Sequence, residues 1–251
     1  MWLKRIFIAA FLLYSLGVQA QTDSLFAVAN EAYKQKNYQN AIHSYSDLVS
    51  LGYQSPTLYY NIGNAYFKSE QLAKSILWYE RALRLAPSNE DILHNLAFAN
   101  NQIIDEMDVV PEFFLKKWIR SLYNLMSSNG WAIASILFSL LMFTLLAFLL
   151  LSSHARTRIL LFFSTLLMVL LLIASISFAV IQNKQIHRTD QAIIMPLSVT
   201  VKSMPDEAGT DLFTVHEGLK VNILEKVGDW IEVEFPNGNK GWIQQLAVEH
   251  I

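Results

Sequence analysis

The sequence predicts a multidomain membrane protein that combines an all-α helical repeat array, a two-helix transmembrane hairpin and a C-terminal all-β barrel. Three observations indicate this fold class. Residues 22–107 repeat at a spacing of 34 residues, two long runs in the middle of the chain lack ionisable side chains, and the last part alternates short apolar runs with turn residues. These three patterns do not overlap along the chain, so they predict separate structural elements.

The composition favours a membrane protein and disfavours a nucleic-acid partner. Hydrophobic residues make up 53% of the chain and charged residues only 16%. The hydrophobic fraction is higher and the charged fraction lower than in an ordinary soluble domain, as expected for a chain with membrane segments. The net charge of −2 gives no electrostatic reason to bind DNA or RNA. The chain has no cysteine, which excludes disulfides, thiolate metal sites and cysteine nucleophiles.

The N-terminus has the pattern of a secretory signal peptide over residues 1–20. Two basic residues precede an apolar run over residues 6–16, and Val18 and Ala20 occupy the positions that a signal peptidase recognises. Cleavage is predicted before Gln21. An uncleaved N-terminal anchor is the alternative, but the apolar run is short for a membrane span. In both cases the chain after the apolar run is expected to be exported.

The repeats in residues 21–108 align at an offset of 34 residues. Ala29 falls on Gly63, and "NIGNA" of the second unit recurs as "NLAFA" in a third first-helix. This pattern resembles the tetratricopeptide repeat (TPR), a helix-turn-helix unit whose neighbours stack to bury a shared core. Small side chains are expected where two helices pack closely, at Ala29, Gly63 and Ala97. The third first-helix is expected to cap the array.

The TPR resemblance implies a concave face, built by the first helix of each unit, that binds an extended peptide. Asparagine amides that alternate with aromatic rings would hold the backbone of the partner, and packing between helices is the alternative for the aromatic rings. A clamp for a chain-terminal carboxylate is not predicted, because its cationic positions hold Phe26, Asp91 and Asn95 here. The predicted protein-binding residues are Phe26, Asn30, Tyr33, Tyr60, Asn61, Asn64, Phe67, His94, Asn95 and Phe98.

Residues 109–130 are predicted to form an amphipathic linker helix. Phe114, Trp118 and Leu122 recur at helical spacing on one side, and most of the basic residues lie on the other. Basic residues opposite aromatic residues, just before a membrane span, are typical of a helix in the membrane interface. Packing of this helix against the TPR array is the alternative.

Residues 131–151 and 159–181 are predicted transmembrane helices. Neither contains Asp, Glu, Lys, Arg or His, and at about 1.5 Å per residue each can cross about 30 Å of hydrocarbon. Residues 152–158 leave room only for a tight turn, so both outer ends of the hairpin face one side. An exported N-terminal region places that turn and its two arginines in the cytoplasm, although basic residues also flank the outer ends. The predicted location is the inner (cytoplasmic) membrane, multi-pass, with both folded domains in the periplasm.

Residues 189–251 are predicted to form a small all-β barrel. Short runs rich in Val, Ile, Phe and Trp alternate with turns, and "DWIEVEF" turning at Asn237-Gly238 into "GWI" is typical of a β-hairpin. The order of these segments resembles a bacterial SH3-like domain. Some domains of this family bind cell-wall peptides, and others pack against neighbouring domains. Trp230 and Trp242 are the candidate ligand face, and burial in the barrel is the alternative for both.

The whole arrangement, with the segment "TVKSMPDEAGTDLFTVHEGLKV", resembles the Bacteroides aerotolerance (Bat) family. The resemblance implies a membrane scaffold for other Bat proteins, including von Willebrand factor A-domain membrane proteins and a MoxR-type ATPase, in tolerance of oxygen or envelope stress. Binding of peptidoglycan through the SH3-like domain is the alternative function.

Motifs of the common enzyme classes are missing from the sequence. It contains no Gly-rich phosphate loop, no His-Glu-x-x-His and no Gly-x-Ser-x-Gly, and both spans lack the intramembrane charge and helix breaks of a transporter. The protein is therefore expected not to be an enzyme, with no catalytic residue, cofactor or metal site. The acidic segment that begins at Asp105 is interpreted as a solvated helix end.

Overall fold

The computed structural model describes residues 24–107 and 113–251, so the predicted signal peptide and residues 109–112 of the predicted linker lie outside the described residues. The described chain forms two compact units. The first contains residues 24–82, 91–107 and 190–251, and the second contains residues 83–90 and 113–189.

Five helices form the N-terminal part of the chain, and their order confirms the all-α repeat array. Asn37 and Ser55 precede the second and third helices, and the side chain of each accepts a hydrogen bond from a backbone N–H of the first turn. The helices are α1 (residues 24–34), α2 (Tyr38–Ser50), α3 (Pro56–Lys68), α4 (Leu72–Leu85) and α5 (Glu90–Asn100).

The turns inside the two complete helix pairs have the same conformation. Lys36, between α1 and α2, has φ of 62°, and Glu70, between α3 and α4, has φ of 60°. Both lie in the left-handed region, which a non-glycine residue enters only at a conformational cost. The N–H of Asn37 donates to Ala32 O at 2.9 Å, and the N–H of Gln71 donates to Tyr66 O at 3.0 Å. The sequence period of the repeat is therefore reproduced in the backbone.

Close packing between α3 and α4 depends on Gly63. A Cβ atom at this position would lie 2.6 Å from the ring of Tyr79, which is almost fully buried. Ala29 is likewise buried, as expected. The same expectation was wrong for Ala97, which is exposed on α5, because the described chain leaves the array after this helix and no partner helix covers it.

The C-terminal domain is one antiparallel sheet, which confirms the SH3-like, all-β fold class. Within the described residues the strand pairing runs β3-β2-β6-β5-β4-β1-β7 and does not close into a complete ring. Its core is formed by small and branched apolar residues around Phe235. The strands are β1 (Gln191–Ile194), β2 (Ser198–Lys202), β3 (Asp211–His216), β4 (Lys220–Val227), β5 (Trp230–Glu234), β6 (Lys240–Gln244) and β7 (Val248–His250), with a 3-10 turn over Gln245–Ala247.

The predicted hairpin at Asn237-Gly238 joins β5 to β6. Trp230 pairs with Gln244 at the open end of the ladder. Gly238 has φ of +83°, a conformation that glycine adopts without a steric penalty. The Asn237 side chain accepts a hydrogen bond from the Asn239 N–H at 3.0 Å. The local sequence thus determines this turn and the register of the two strands that it connects.

Within the first unit the sheet packs against the repeat helices. Lys220 Nζ lies 2.7 Å from Glu80 Oε2, and the Glu80 side chain is only 11% exposed. The Asp105 carboxylate accepts from the His216 N–H at 2.6 Å, and its other oxygen lies 2.8 Å from His216 Nδ1. Asp105 is therefore not a solvated helix end, because its carboxylate is bound by the β-domain. Apolar contact adjoins these pairs, where Gly218 faces Ile76 and Ile103.

The second unit is a helical hairpin preceded by a short amphipathic helix. Helix α6 is Phe114–Tyr123, α7 is Ser128–Leu151 and α8 is Ala155–Ile186. The mean hydropathy of the most apolar windows of α7 and α8 is 2.6 and 2.8, so both are long and apolar enough to cross a membrane. They pack on each other, with the Trp131 and Phe178 rings 5.0 Å apart. These features support membrane association.

Hydrogen bonds connect the end of α6 to this hairpin. The buried Gln182 side chain on α8 donates from Nε2 to Tyr123 O at 2.9 Å and to Asn124 Oδ1 at 2.8 Å. Trp131 Nε1 donates to the same Tyr123 carbonyl at 2.8 Å. A carbonyl at the end of a helix has no partner within the helix, and here two side chains satisfy it. The α6 side chains themselves remain largely exposed, Trp118 by 62%.

We expect Gly63→Leu to destabilise the repeat array and the repeat-equivalent Ala97→Leu to have little effect. The new side chain at position 63 would enter the space of the Tyr79 ring, and overpacking typically costs about 1–3 kcal/mol. At position 97 it would project into solvent. Denaturant unfolding of the full chain in detergent, followed by circular dichroism, measures both changes. Equal stability of the two variants would contradict the close α3–α4 contact.

Candidate functional site

The first helices of the repeats are connected by hydrogen bonds between asparagine and tyrosine side chains. The hydroxyl of buried Tyr45 on α2 donates to Asn30 Oδ1 on α1 at 2.6 Å. Asn61 Nδ2 on α3 donates to the same oxygen at 3.3 Å. The amide oxygen of Asn30 therefore accepts two hydrogen bonds, one from a tyrosine of the same repeat and one from an asparagine of the next repeat.

The same arrangement recurs one repeat later. The Tyr79 hydroxyl on α4 donates to Asn64 Oδ1 on α3 at 2.7 Å, and Asn95 Nδ2 on α5 donates to that oxygen at 2.8 Å. Asn95 Nδ2 also donates to the Tyr60 hydroxyl at 2.9 Å. Tyr60 therefore belongs to this second network. We call the two networks together the asparagine ladder.

The asparagine ladder limits what the predicted amides can offer to a ligand. Asn30 and Asn64 each use Oδ1 within the protein, and Asn61 and Asn95 each use Nδ2. In the described part of the chain the opposite atom of each amide has no hydrogen-bond partner. These half-satisfied amides are held in fixed orientation. The amino nitrogens of Asn30 and Asn64 remain able to donate, and the carbonyl oxygens of Asn61 and Asn95 remain able to accept.

Two open cavities lie along the face formed by α1, α3 and α5, and we call them together the TPR groove. The first has a volume of about 180 Å³ and the second about 400 Å³, and Tyr33 and Asn64 line both. The structure brings nine of the ten predicted residues to this groove. The lining residues are Asn30, Tyr33, Lys34, Tyr45, Tyr60, Asn61, Asn64, Phe67, Lys68, Tyr79, His94, Asn95 and Phe98.

Phe26 is the predicted residue that the structure places elsewhere. Its ring packs 5.8 Å from the Tyr45 ring, and the side chain belongs to the partly buried shell around the core of the first repeat. The packing alternative therefore describes Phe26. Lys34 and Lys68 also line the groove and were not predicted to do so, although the two align at the repeat offset of 34 residues.

Aromatic rings form the wall of the larger cavity. Phe67 on α3 and Phe98 on α5 contact edge to face, with ring centroids 5.6 Å apart. Phe98 is 55% exposed, so one face of its ring is available to a ligand. Exposed rings beside fixed amides can bury an apolar side chain while the amides bind its backbone.

Burial of the two ladder tyrosines alters their acidity. Burial raises the pKa of Tyr45 to about 12. Burial, together with the nearby Tyr60 and Tyr33, also raises the pKa of Tyr79. Both phenols therefore remain neutral donors at physiological pH, and the folded structure resists formation of the phenolate.

A second groove lies on the β-domain and contains one of the two predicted tryptophans. Its volume is about 380 Å³, and Trp230 lines it with polar side chains such as Thr200 and Gln244. Trp242 is not among the described lining residues; it pairs with Glu232 and Lys202 within the sheet. Of the two predicted tryptophans, Trp230 therefore lines this groove and Trp242 does not.

Lys202 organises the rim of this second groove. Its Nζ lies 2.6 Å from Asp211 Oδ1 and donates to the carbonyls of Glu207 and Gly209 at 3.0 and 3.3 Å. Since an ammonium group has three donors, these contacts use its full capacity. Lys202 therefore holds the loop between β2 and β3.

Comparisons with known proteins identify both modules. The family model described as TPR repeat matches residues 63–102, and the model described as bacterial SH3 domain matches residues 198–248. Human tetratricopeptide repeat protein 6 is 36% identical over 62 residues, which cover 25% of this chain; the match spans 12% of that protein's length. The two modules support a role in protein interaction or peptidoglycan binding.

We expect Tyr45→Phe to reduce stability near pH 8 by about 1 kcal/mol, because the hydrogen bond to Asn30 is lost. This difference should shrink as pH rises from 10 to 12. The folded-state pKa of Tyr45 lies above the unfolded value of about 10, so the wild type loses the tyrosine contribution as pH rises through that interval. Denaturant unfolding at pH 8, 10 and 11.5 measures the difference.

Tyr38→Phe is the control, because it removes a hydroxyl that forms no hydrogen bond in the described part of the chain. A stability difference between wild type and Tyr45→Phe that is independent of pH would show that Tyr45 ionises equally in the folded and unfolded states.

Proposed function

We propose that the protein is a membrane-anchored scaffold whose TPR groove binds an extended segment of a partner protein. The observation that carries this proposal is the set of half-satisfied amides at fixed positions along an open groove. An extended backbone presents a free N–H and C=O at each residue, and the groove offers both kinds of complementary atom. The TPR and bacterial SH3 matches support the same class of function.

The asparagine ladder lowers the entropic cost of such binding. Each amide is held in place by a hydrogen bond at one end, so little side-chain entropy is lost when a partner binds the other end. The exposed Phe98 ring can bury an apolar side chain of the same segment. Backbone contacts would supply affinity, and the aromatic pocket would supply selectivity.

The proposed complex is of the Bat type and is linked to tolerance of oxygen or to envelope stress. Its proposed partners are von Willebrand factor A-domain membrane proteins and a MoxR-type ATPase, as the resemblance in domain order implies. In this proposal the protein has no enzymatic activity of its own. It assembles other proteins at the inner membrane.

The proposed orientation places both folded domains in the periplasm and the turn between α7 and α8 in the cytoplasm. The N-terminal secretory pattern and the even number of predicted spans support this orientation. Arg156 and Arg158 would then be the cytoplasmic positive charges of the hairpin.

Single cysteines can test this orientation, because the chain has no native cysteine. We expect a cysteine at Asn40 or Ala208, both exposed, to react with a membrane-impermeant maleimide once the outer membrane is opened. A cysteine at Thr157 should react only after the inner membrane is permeabilised. The opposite pattern, with Thr157 accessible first, would reject the proposed orientation.

We expect Phe98→Ala to weaken capture of the partner by about fivefold or more, since loss of an aromatic anchor commonly costs more than about 1 kcal/mol. Leu93→Ala is the matched control, because Leu93 is exposed on the same helix and does not line the described groove. Crosslinking and affinity capture of tagged full-length protein from membranes, quantified by mass spectrometry, measure the effect. Equal capture by both variants would place the binding surface outside the groove.

Peptidoglycan binding through the β-domain is the second candidate function. The Trp230 groove favours it, because an aromatic ring beside polar side chains suits a glycan or short peptide. The capture experiment distinguishes the two functions when purified peptidoglycan is added as a second arm. A wall anchor would sediment with peptidoglycan regardless of Phe98, and Trp230→Ala would release it.

A further inference from the structure

Two lysines at equivalent positions in successive repeats face the TPR groove. Lys34, in the last turn of α1, lines the smaller cavity, and Lys68, at the end of α3, lines the larger one. Both side chains are exposed. Within the described residues neither forms an ion pair or a side-chain hydrogen bond.

No acidic side chain lines either cavity in the described part of the chain. By contrast, Glu80 and Arg81 of the repeats form ion pairs with Lys220 and Glu249 of the β-domain. The groove thus carries uncompensated positive charge in a concave surface, where the electric field is stronger than on a flat one. A ligand that supplies negative charge complements it.

We propose that the segment bound by the TPR groove is acidic, with side-chain carboxylates two or three residues apart that contact Lys34 and Lys68. This inference rests on the proposed function of the groove and specifies the partner chemistry. The α1 and α3 helices are neighbours, because Asn61 bonds to Asn30. Contacting helices lie about 8–10 Å apart, and an extended chain rises about 3.3 Å per residue. Two carboxylates that contact lysines on neighbouring helices would therefore be two or three residues apart.

This arrangement differs from a clamp for a chain-terminal carboxylate. The cationic positions of such a clamp hold Phe26, Asp91 and Asn95 in this chain. Lys34 and Lys68 lie instead near the ends of their helices, beside the amide row. A lysine near a helix C-terminus also interacts favourably with the helix dipole. A change in stability therefore cannot test the proposal, and the measurement must be of binding.

The test is a selection of random ten-residue peptides on the full chain in lipid nanodiscs. Each peptide is fused at its C-terminus to a phage coat protein, so only side-chain carboxylates are offered. We expect Asp and Glu to be enriched about threefold over the library at two positions that are two or three residues apart. In binding assays with a selected peptide, Lys34→Gln and Lys68→Gln should each weaken affinity by about two- to fivefold, as for exposed ion pairs.

Lys74→Gln is the matched control. Lys74 Nζ donates to Gln71 Oε1 at 3.0 Å and lies over the Tyr66 ring, and the residue is not among those that line the groove. This variant should bind the selected peptide as the wild type does. Raising the salt concentration should weaken binding to the wild type more than to the double variant Lys34→Gln/Lys68→Gln.

Peptides that bind the groove without acidic enrichment, or whose affinity is unchanged in the double variant, would overturn the inference about charge and leave the groove function intact. Dependence of their binding on Phe98 identifies this outcome. If no selected peptide depends on Phe98 or the lysines, both the inference and the proposed groove function fail.

Discussion

The hydroxyl groups of two buried tyrosines determine the form of the groove. Tyr45 and Tyr79 fill the space between the helices of their repeats, and each is only 1% exposed. A buried hydroxyl without a partner is costly, so each donates to an asparagine of the first helix. That bond fixes the orientation of the amide, and the amide oxygen then also accepts a hydrogen bond from the asparagine of the next repeat. Packing of the core and orientation of the surface amides therefore depend on the same side chains.

The repeat period, the apolar spans and the hairpin at Asn237-Gly238 could all be predicted, because each depends on residues close together in sequence. The concave position of nine ladder and groove residues followed from the repeat geometry as well. What periodicity could not predict is which atom of each amide is already used. Asn61 has the same sequence pattern whether or not its Nδ2 bonds to Asn30, and only the distance between α1 and α3 decides this.

Predictions from the sequence were wrong where a residue is bound by a side chain distant in sequence, or where the helix expected to cover it is not there in the described part of the chain. Ala97 has the small side chain typical of a close helix contact, yet the array ends and the residue is exposed. Asp105 lies in an acidic run that suggests solvent, yet His216 binds its carboxylate across a separation of 111 positions in sequence. Lys34 and Lys68 were not predicted as groove residues, because the cavities that they line form only when the helices are stacked.

Contacts between the β-domain and the repeats have a consequence for how the protein could hold a partner. Glu80 with Lys220 and Asp105 with His216 join the two modules, so the TPR groove and the Trp230 groove belong to one compact unit. A partner with two short motifs would bind the second one intramolecularly. Its effective concentration at that site then depends on the linker between the motifs, and is highest when the linker length matches the separation of the grooves. Each motif could be weak on its own while the pair is retained, and selectivity would lie in the spacing of the motifs as much as in their sequences.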